Sequence, residues 1–498
     1  MKNPTISMIG LISLLALLAG CASYAPLPLD RETVAAKLQP PDHQTIRLLA
    51  KEIHHPMLQP LDINIDNGLS PDEAAILAVL ANQKLRALRD QRGIAAAQLL
   101  QAGILPNPQL SYTLDVPTGG TTPPGLVNAF GLDLSWEITS LITRGAKMAA
   151  AKADASSVDL DIAWQEWQTA QAAKLQVYHL FFFDQQLAVA RQEEARLREN
   201  LDLVKRAAGL GFVTVVDLAA AEAALQKMHG SVLTMEQQRE QERVALNQLM
   251  GFPSEEIIPL EVKIRPPDPK LLPSVTELFD GLDLRRLDLL ALKQGYQSQE
   301  ERLRSAILAQ FPKINLGFSR ARDTSNIITT GFGITIDLPL FDRNQGAVAI
   351  ETATRVKLFD EYVARLFEAR SEVARILANM RSFQRQSEAT ERLIPTLQNV
   401  AESYRRALLQ GNADVLTYYN ARAELTTNRW NCWTSSASLP ICMLPWKLPL
   451  DAIWGRQRTR RRIREPKAPR HCHRRDRRSS NSRRVPAVCS RRSADGSR

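Results

Sequence analysis

The chain repeats itself at an interval of about 200 residues, and this repeat constrains the fold more than any other feature. Residues 105–110 (LPNPQL) correspond to residues 311–316 (FPKINL), and Gly211 corresponds to Gly411. Identity between the copies is low, but the order of patterns is the same in each. The sequence therefore predicts two copies of one unit: helix, strand, loop, strand, long helix, turn and long helix.

Each copy contains two segments in which apolar and polar residues alternate. In the first, Leu110, Tyr112 and Leu114 share one face of a strand, opposite Ser111 and Thr113. The predicted strands cover residues 109–115, 130–138, 313–321 and 331–340. Such alternation fits a sheet between lipid and water and fits a half-buried sheet of a soluble protein equally well, so both interpretations stay open.

The predicted long helices carry heptad patterns. Apolar residues recur at spacings of three and four along residues 180–208 and 356–380, interrupted only by Glu194 and Arg370. Such seams are typical of helices that pack as coiled coils. They predict two equivalent helices, each about 45–60 Å long at 1.5 Å per residue, which is unusual for a globular domain.

The amino terminus has the pattern of an export signal. Lys2 precedes an uncharged apolar run over residues 8–20, shorter than the roughly 20 residues a membrane-spanning helix needs. The run ends in Leu18-Ala19-Gly20-Cys21, which resembles a bacterial lipobox. That resemblance implies cleavage before Cys21 and attachment of lipid to it, and Ala22 favours delivery to the outer membrane. The alternative is an ordinary signal peptide with a chance cysteine.

The charge is concentrated in the tail. The chain carries +10 overall, but residues 455–498 alone carry +14, so the residues before them carry −4. The acidic body and the export signal therefore disfavour the alternative that the chain binds nucleic acid through its basic tail. Cys21 is the only cysteine before Cys432, which excludes a disulfide framework in the body.

The helical pattern stops after Trp430, where tryptophan, cysteine and then arginine become frequent. We interpret residues 431–498 as the disordered product of a shifted reading frame. Codons permitted for residues 431–451, read one phase over, can encode LLDLERQLADMHVALEIATG, an amphipathic helix. Its ending matches residues 245–251 (ALNQLMG), again about 200 residues away. A functional basic arm for anionic lipid or nucleic acid is the alternative.

With these repeats, strands and seams, residues 69–430 resemble the TolC family of outer-membrane efflux proteins, and the lipobox fits its lipoprotein members. The resemblance implies a mainly helical fold with membrane strands. Three protomers would each give four strands to a twelve-stranded β-barrel and long helical hairpins to a periplasmic α-barrel. It also implies an exit duct anchored in the outer membrane and extending into the periplasm. The ending encoded by the alternative frame resembles the heavy-metal cation branch of this family.

Residues 206–218 (RAAGLGFVTVVDL) resemble the family's turn at the periplasmic tip, where the tunnel narrows and meets its adaptor protein. We expect glycines to permit the tight turn and Asp217 to cap the returning helix, with Asp414 as its match in the second copy. Both aspartates are candidates for an acidic ring that favours cations. The predicted docking residues are Gly209, Leu210, Gly211, Thr214, Asp217, Gly411 and Asp414.

The chain has no nucleotide-binding loop and no recognisable catalytic or metal-binding motif, so we expect a passive duct and not an enzyme. We expect no cofactor apart from the lipid on Cys21. The expected partners are two further copies of the chain, a periplasmic adaptor protein, an inner-membrane RND-type pump and outer-membrane lipid, with metal cations or drugs as cargo. The alternative function is that of a periplasmic coiled-coil lipoprotein acting as an adaptor or scaffold.

These inferences give a predicted domain organisation. Its parts are a lipoprotein signal peptide (1–20), a segment after the lipidated cysteine (21–68), repeat 1 (69–255), a linker (256–284), repeat 2 (285–430) and the anomalous tail (431–498).

Overall fold

The computed structural model describes residues 24–40, 42–119, 125–261, 264, 275–410 and 412–443. These residues belong to the first of two compact units, Met1–Pro449, and the second unit, Leu450–Arg498, lies outside the described residues. The predicted lipid attachment at Cys21 and the predicted turn residue Gly411 also lie outside them.

Five short α-helices precede the first strand in the part of the chain that the structure describes, and polar residues at their starts explain where several of them begin. Asp30 and Asp42 each accept a hydrogen bond from the backbone N–H three residues later, at the starts of the first two helices. Ser70 and Glu73 form a reciprocal capping box at the third. The helices are α1 (Arg31–Leu38), α2 (His43–Lys51), α3 (Pro71–Ala81), α4 (Gln83–Arg89) and α5 (Gln91–Gly103).

The two strand pairs join into one antiparallel sheet with the order β1-β2-β3-β4. β1 (Gln109–Asp115) has the predicted bounds, and β2 (Ala129–Glu137) and β3 (Ile314–Arg322) lie within one residue of theirs. β4 (Ile328–Ile336) begins and ends earlier than predicted. The alternation continues to Leu340, but Pro339 has no N–H with which to continue the ladder.

One face of this sheet is apolar and the other is polar. Directly opposed residues include Leu110 with Leu134 on the apolar face and Ser111 with Asp133 on the polar face. The large side chains of the apolar face are mostly exposed in the single chain. No helix of the described chain therefore covers this face, which disfavours the half-buried sheet of a soluble protein.

Each strand pair leads into a helical hairpin. The remaining helices are α6 (Ser140–Gly209), α7 (Val215–Met250), α8 (Val275–Phe279), α9 (Leu282–Arg285), α10 (Leu287–Leu308), α11 (Gln345–Leu409) and α12 (Val415–Met443). This order confirms the predicted repeat, and α7 and α12 begin 200 residues apart. Among the described residues, no helix is both long enough and apolar enough to cross a bilayer.

The prediction for the length of the two first hairpin helices was wrong. α6 has 70 residues and α11 has 65, which correspond to about 105 Å and 98 Å at 1.5 Å per residue. The first part of α6 packs through small residues such as Ala146, Ala150 and Ala153, which are buried. A search for large apolar residues at heptad spacing misses this part of the helix, because its buried side chains are small.

The second repeat begins earlier than predicted. The predicted linker, residues 256–284, contains α8 and most of α9, and these short helices pack on α11. Leu278 and Leu282 are buried there beside Val373 and Leu377. Helices of five and four residues are too short for hydrophobic periodicity to reveal, which explains the difference.

The largest core lies where α3, the middle of α6 and the end of α7 meet. Leu77, Val177, Leu246 and Met250 are buried in it. α7 ends at Met250 and is capped by Gly251, whose φ of 72° lies in the left-handed region, and an added Cβ there would overlap the carbonyl group of Ala81. The end of the first hairpin is thus fixed against the start of its own repeat.

Candidate functional site

The first hairpin turn joins α6 to α7 through a tight loop. The N–H of Gly211 donates to Ala208 O at 3.0 Å, and the N–H of Phe212 donates to Ala207 O at 2.9 Å. Gly211 has a φ of 76°, but an added Cβ would meet no atom within 4 Å. Glycine is therefore required here for its backbone conformation and not for lack of space. Gly209 is the last helical residue and Leu210 follows it.

Thr214 and Asp217 form a capping box at the start of α7. The N–H of Asp217 donates to Thr214 Oγ1 at 3.1 Å, and the N–H of Thr214 donates to Asp217 Oδ2 at 3.0 Å. The Thr214 hydroxyl also donates to Asp217 Oδ2, at 2.7 Å. Asp217 contributes to the cap as predicted, but the prediction that it is the capping residue was wrong, because Thr214 occupies that position.

The second hairpin turn repeats this chemistry with the two residue types exchanged. Asp414 precedes α12, and its Oδ1 accepts a hydrogen bond of 2.7 Å from the N–H of Thr417. The Thr417 hydroxyl donates to Asp414 Oδ2 at 2.8 Å. The backbone hydrogen bond from Thr417 is the main cause that lowers the pKa of Asp414, so this carboxylate is ionised at neutral pH. Asp414 therefore corresponds to Thr214 and not to Asp217.

The surfaces of the two turns differ in polarity. The first turn exposes four large apolar side chains, while the second presents Gln410, Asn412 and a single large apolar side chain, Leu416. The apolar residues of the first turn are Leu210, Phe212, Val215 and Val216. Val215 is 83% exposed, whereas Val415, its equivalent, is 4% exposed. The start of α12 is covered because it packs against the first hairpin.

The two hairpins meet close to their turns. Val415, Tyr418 and Tyr419 of α12 pack against Leu197 and Leu201 of α6. Burial raises the pKa of Tyr419 to about 12. The structure thus brings Thr214, Asp217 and Asp414 to the same end of the two hairpins, as the sequence predicted.

A partly buried ion pair links the hairpins farther from the turns. Arg422 of α12 contacts Glu193 of α6, with Nε donating to Oε1 at 3.1 Å and Nη2 donating to both carboxylate oxygens. The pair borders a groove of about 280 Å³ that Lys227 and Trp430 also line. Sequence reasoning missed this pair, because nothing local indicates that residues 229 positions apart in the chain meet.

The polar interruption of the first heptad seam has a partner on the second helix of its hairpin. Glu194 Oε1 lies 3.0 Å from His229 Nδ1 and 3.0 Å from Arg198 Nη2. Polar contacts at a seam favour one register of the two helices over others. Glu194 therefore belongs to the hairpin packing and not to the groove that its neighbour Glu193 borders.

Two stacked tryptophans and an arginine that contacts one of them lie nearer the middle of α6. Trp164 and Trp167 stack with ring centroids 4.9 Å apart, and the Arg286 guanidinium lies 4.9 Å above the Trp164 ring. Arg286 also forms a bidentate ion pair with Asp288, at 3.0 Å and 2.8 Å. Both tryptophans are buried in the largest core. Within the described part of the chain, no cluster of three or more His, Cys, Asp or Glu side chains has the geometry of a metal site.

The fold is similar to those of several known structures. A membrane protein from Pseudomonas aeruginosa superimposes with a TM-score of 0.65 at 18% identity, covering 79% of this chain and 96% of that one. The outer membrane protein VceC from Vibrio cholerae gives a TM-score of 0.63 at 15% identity, with 75% and 94% covered. The CmeC outer membrane channel of Campylobacter jejuni gives 0.63 at 15%, with 88% and 96% covered. The fold is that of outer-membrane channels.

The family comparison agrees with the fold. Residues 279–435 match the family model described as outer membrane efflux protein. This part of the chain is therefore an outer membrane efflux protein domain, and the predicted resemblance is confirmed. Among curated protein sequences, no significant match is found.

Proposed function

We propose that the chain is a TolC-family lipoprotein of the outer membrane, and that three copies form the exit duct of a tripartite efflux system. The observation that carries this proposal is the four-stranded sheet, which has an exposed apolar face and stands at one end of two long helical hairpins. A periplasmic adaptor or scaffold, the alternative function, does not call for an exposed apolar sheet face.

The proposal of three copies rests on the edges of the sheet. β1 and β4 each pair on one side only among the described residues. In lipid, an unpaired strand edge is too costly to persist, so a spanning sheet must close on itself. Three copies with four strands each form one closed barrel of twelve strands, with the apolar face toward lipid and the polar face toward water.

The helices support the same assembly. The first half of the α11 seam is exposed in the single chain, although its second half is buried. Phe359 and Val363 of the seam are exposed there, and Phe367, which follows the seam residue Leu366, is 71% exposed. Large apolar side chains in a heptad seam are typical of contacts with another helix. A neighbouring copy is the partner that the proposed trimer supplies.

The hairpin turns are the proposed docking site for a periplasmic adaptor, through Gly209, Leu210, Gly211, Thr214, Asp217, Gly411 and Asp414. The exposed apolar side chains of the first turn support this role, since such patches are typical of protein contacts. An inner-membrane RND-type pump supplies the energy. The duct itself has no catalytic step and needs no cofactor beyond lipid on Cys21.

The proposed cargo is metal cations or drugs, which pass from the pump and adaptor through the duct to the exterior. Asp217 and Asp414, present in each of three copies, form an acidic ring near the mouth that favours cations. The lowered pKa of Asp414 keeps its carboxylate charged, as such a ring requires.

The experiment that tests this proposal is membrane fractionation of the expressed chain, followed by mass measurement of the native assembly in mild detergent. We expect a trimer in the outer-membrane fraction. Phe367→Ser should shift the assembly toward monomer, because burying a phenylalanine side chain contributes roughly 1.5–3 kcal/mol. Lys357→Ser, at an exposed polar position of the same helix, is the matched control and should leave the trimer unchanged.

A soluble or inner-membrane species would contradict the duct and support the adaptor. An outer-membrane monomer would contradict the trimeric assembly.

A further inference from the structure

Charged residues are distributed unevenly on the apolar face of the sheet. The side chains of this face come from alternate residues of the four strands, and all are apolar or threonine except Arg320 and Arg322. Both arginines lie in the last three residues of β3, next to the loop that joins β3 to β4. The opposite end of the face, next to the helices, carries none.

These arginines are held in an apolar setting. Arg320 lies opposite Leu132 on β2, and Arg322 lies opposite Phe130. The Arg322 guanidinium is 5.1 Å above the Phe130 ring, and its Nη2 donates to Asn128 O at 2.9 Å. Its Nε is buried and has no acceptor among the described residues. One N–H of this guanidinium is thus desolvated and unpaired.

Neither arginine has an acidic partner in the described part of the chain. Asp323 follows Arg322 directly, but its Oδ1 accepts from the N–H of Ile327 and serves the turn. Arg320 is exposed and forms no ion pair with a described residue. Two positive charges at the edge of an apolar surface therefore lack an anion among the described residues.

We propose that Arg320 and Arg322 form a binding site for the phosphate groups of lipid A, the phosphorylated glycolipid of the outer leaflet. This inference rests on the proposed function, which directs the loops away from the periplasm and the apolar face toward lipid. A nine-residue strand is about as long as one that spans the membrane, so its loop end lies at the headgroup level. The cost of an arginine on a lipid-facing strand is smallest there.

The chemistry of the two side chains fits this ligand. Their Cα atoms lie about 6.6 Å apart along the strand, so each guanidinium can bind its own phosphate oxygens. Arginine forks match phosphate geometry with two parallel hydrogen bonds. The apolar side chains below them, Phe318 and Phe332, face each other across β3 and β4 and are exposed to acyl chains. A phosphorylated headgroup above acyl chains is complementary to both parts of this surface.

The test uses the full chain reconstituted in phosphatidylcholine vesicles that contain either bisphosphorylated lipid A or its dephosphorylated form. Native mass measurement counts the lipid A molecules that remain bound after extraction. We expect the unaltered chain to retain the bisphosphorylated form. Arg320→Gln and Arg322→Gln should each weaken retention about tenfold, the effect of losing one charge-assisted hydrogen bond. Lys313→Gln, directly before β3 and at the opposite end of the strand from the two arginines, is the control and should change nothing.

Equal retention of the two lipid forms by the unaltered chain would overturn the proposal, and this comparison stands even if a variant fails to fold. Displacement of the lipid by millimolar inorganic phosphate would also overturn it, because the site would then bind free phosphate. Equal retention of phosphatidylglycerol would show that any anionic lipid suffices and would overturn the assignment to lipid A. A chain that fails to reach the outer membrane would contradict the proposed function. A correctly inserted chain that retains both forms of lipid A equally would contradict this inference but not the proposed function.

Discussion

Thr214 and Asp414 occupy the same position in the two halves of the chain, directly before the second helix of each hairpin. Each is paired with the other's residue type three positions later, so that Thr214 faces Asp217 and Asp414 faces Thr417. The two halves therefore preserve a capping interaction while exchanging the residues that make it.

Exchange of the two residue types within one turn should be tolerated, while loss of the cap should not. Thr214→Ala removes the acceptor for the Asp217 N–H and should lower the free energy of unfolding by about 1 kcal/mol. The double variant Thr214→Asp with Asp217→Thr recreates the arrangement of the second turn and should restore most of that loss. Thermal unfolding of the three proteins measures this. A double variant as unstable as Thr214→Ala would contradict the equivalence of the two caps.

Two glycines with similar backbone conformations should differ in their tolerance of alanine. Gly211 and Gly251 have φ values of 76° and 72°, so alanine is strained at both, by about 1–2 kcal/mol. Around Gly211 the space is open, but at Gly251 the new Cβ would overlap the carbonyl of Ala81. Gly251→Ala should therefore lower the unfolding temperature well beyond Gly211→Ala. Equal decreases in unfolding temperature for the two variants would mean that the backbone at Ala81 moves aside without a cost in free energy.

The partly buried ion pair between the hairpins should be sensitive to loss of one partner. Glu193→Gln leaves Arg422 without its carboxylate and should lower the free energy of unfolding by about 1–3 kcal/mol, less than for a fully buried pair. The double variant with Arg422→Gln should lose less, because no charge is left unpaired. Arg405→Gln breaks an exposed pair with Glu402 and is the control, expected to cost about 0–1 kcal/mol. A double variant as unstable as the sum of the single variants would show no coupling.

His55 should make the stability of the chain depend on pH. Its Nδ1 accepts hydrogen bonds from the N–H groups of Met57 and Leu58, at 3.0 Å and 3.1 Å, and its Nε2 lies 2.9 Å from Ala163 O. Burial lowers the pKa of His55 below its usual 6.5, although the nearby Glu166 acts in the opposite direction. The unfolded chain thus binds the proton more readily, so stability is complete above about pH 6.5 and falls as the pH decreases toward the folded pKa.

The measurement is the unfolding temperature between pH 8 and pH 5. His55→Asn, whose Oδ1 can accept the same hydrogen bonds without titrating, should flatten the profile. His54→Asn replaces the exposed neighbouring histidine and should leave the profile unchanged. An unaltered slope in His55→Asn would assign the pH dependence to other groups.

The reading-frame interpretation of the tail is tested by sequencing the gene across codons 431–451. α12 continues past Trp430 to Met443, so the prediction that the tail is disordered was wrong for residues 431–443. Leu246 and Met250 are buried at the end of α7, and the equivalent positions 446 and 450 lie outside the described residues. We expect one inserted or deleted base near codon 431, and a chain with the restored frame should give more trimer. An unbroken, confirmed frame would contradict the interpretation.

The elements that could be predicted from sequence are those whose signal is local. β1 was placed to the residue because its alternation is regular and its ends are marked by polar residues. The turn of the first hairpin followed from its glycines, and the repeat located its counterpart. β4 was displaced because Pro339, and not the alternation, determines where the ladder ends.

The parts that escaped prediction depend on contacts between distant segments. The heptad spacing places Glu194 in the seam but indicates no partner for Glu193, since only the packing of α12 on α6 brings Arg422 to it. Val215 and Val415 are the same residue type in equivalent positions, and only the tertiary arrangement exposes one and covers the other. The roles of Thr214 and Asp217 were misassigned because either residue type is a good cap.

The sheet described above leaves one side of β1 and one side of β4 without a partner in the same chain. In a closed assembly these two edges meet only between copies. The first and last strands are therefore under selection as a pair, although they lie more than two hundred residues apart in the sequence. A change on one edge is compatible only with a matching change on the other. A cell that carries two versions of the gene would build mixed rings, and a defective version would impair the products of the intact one.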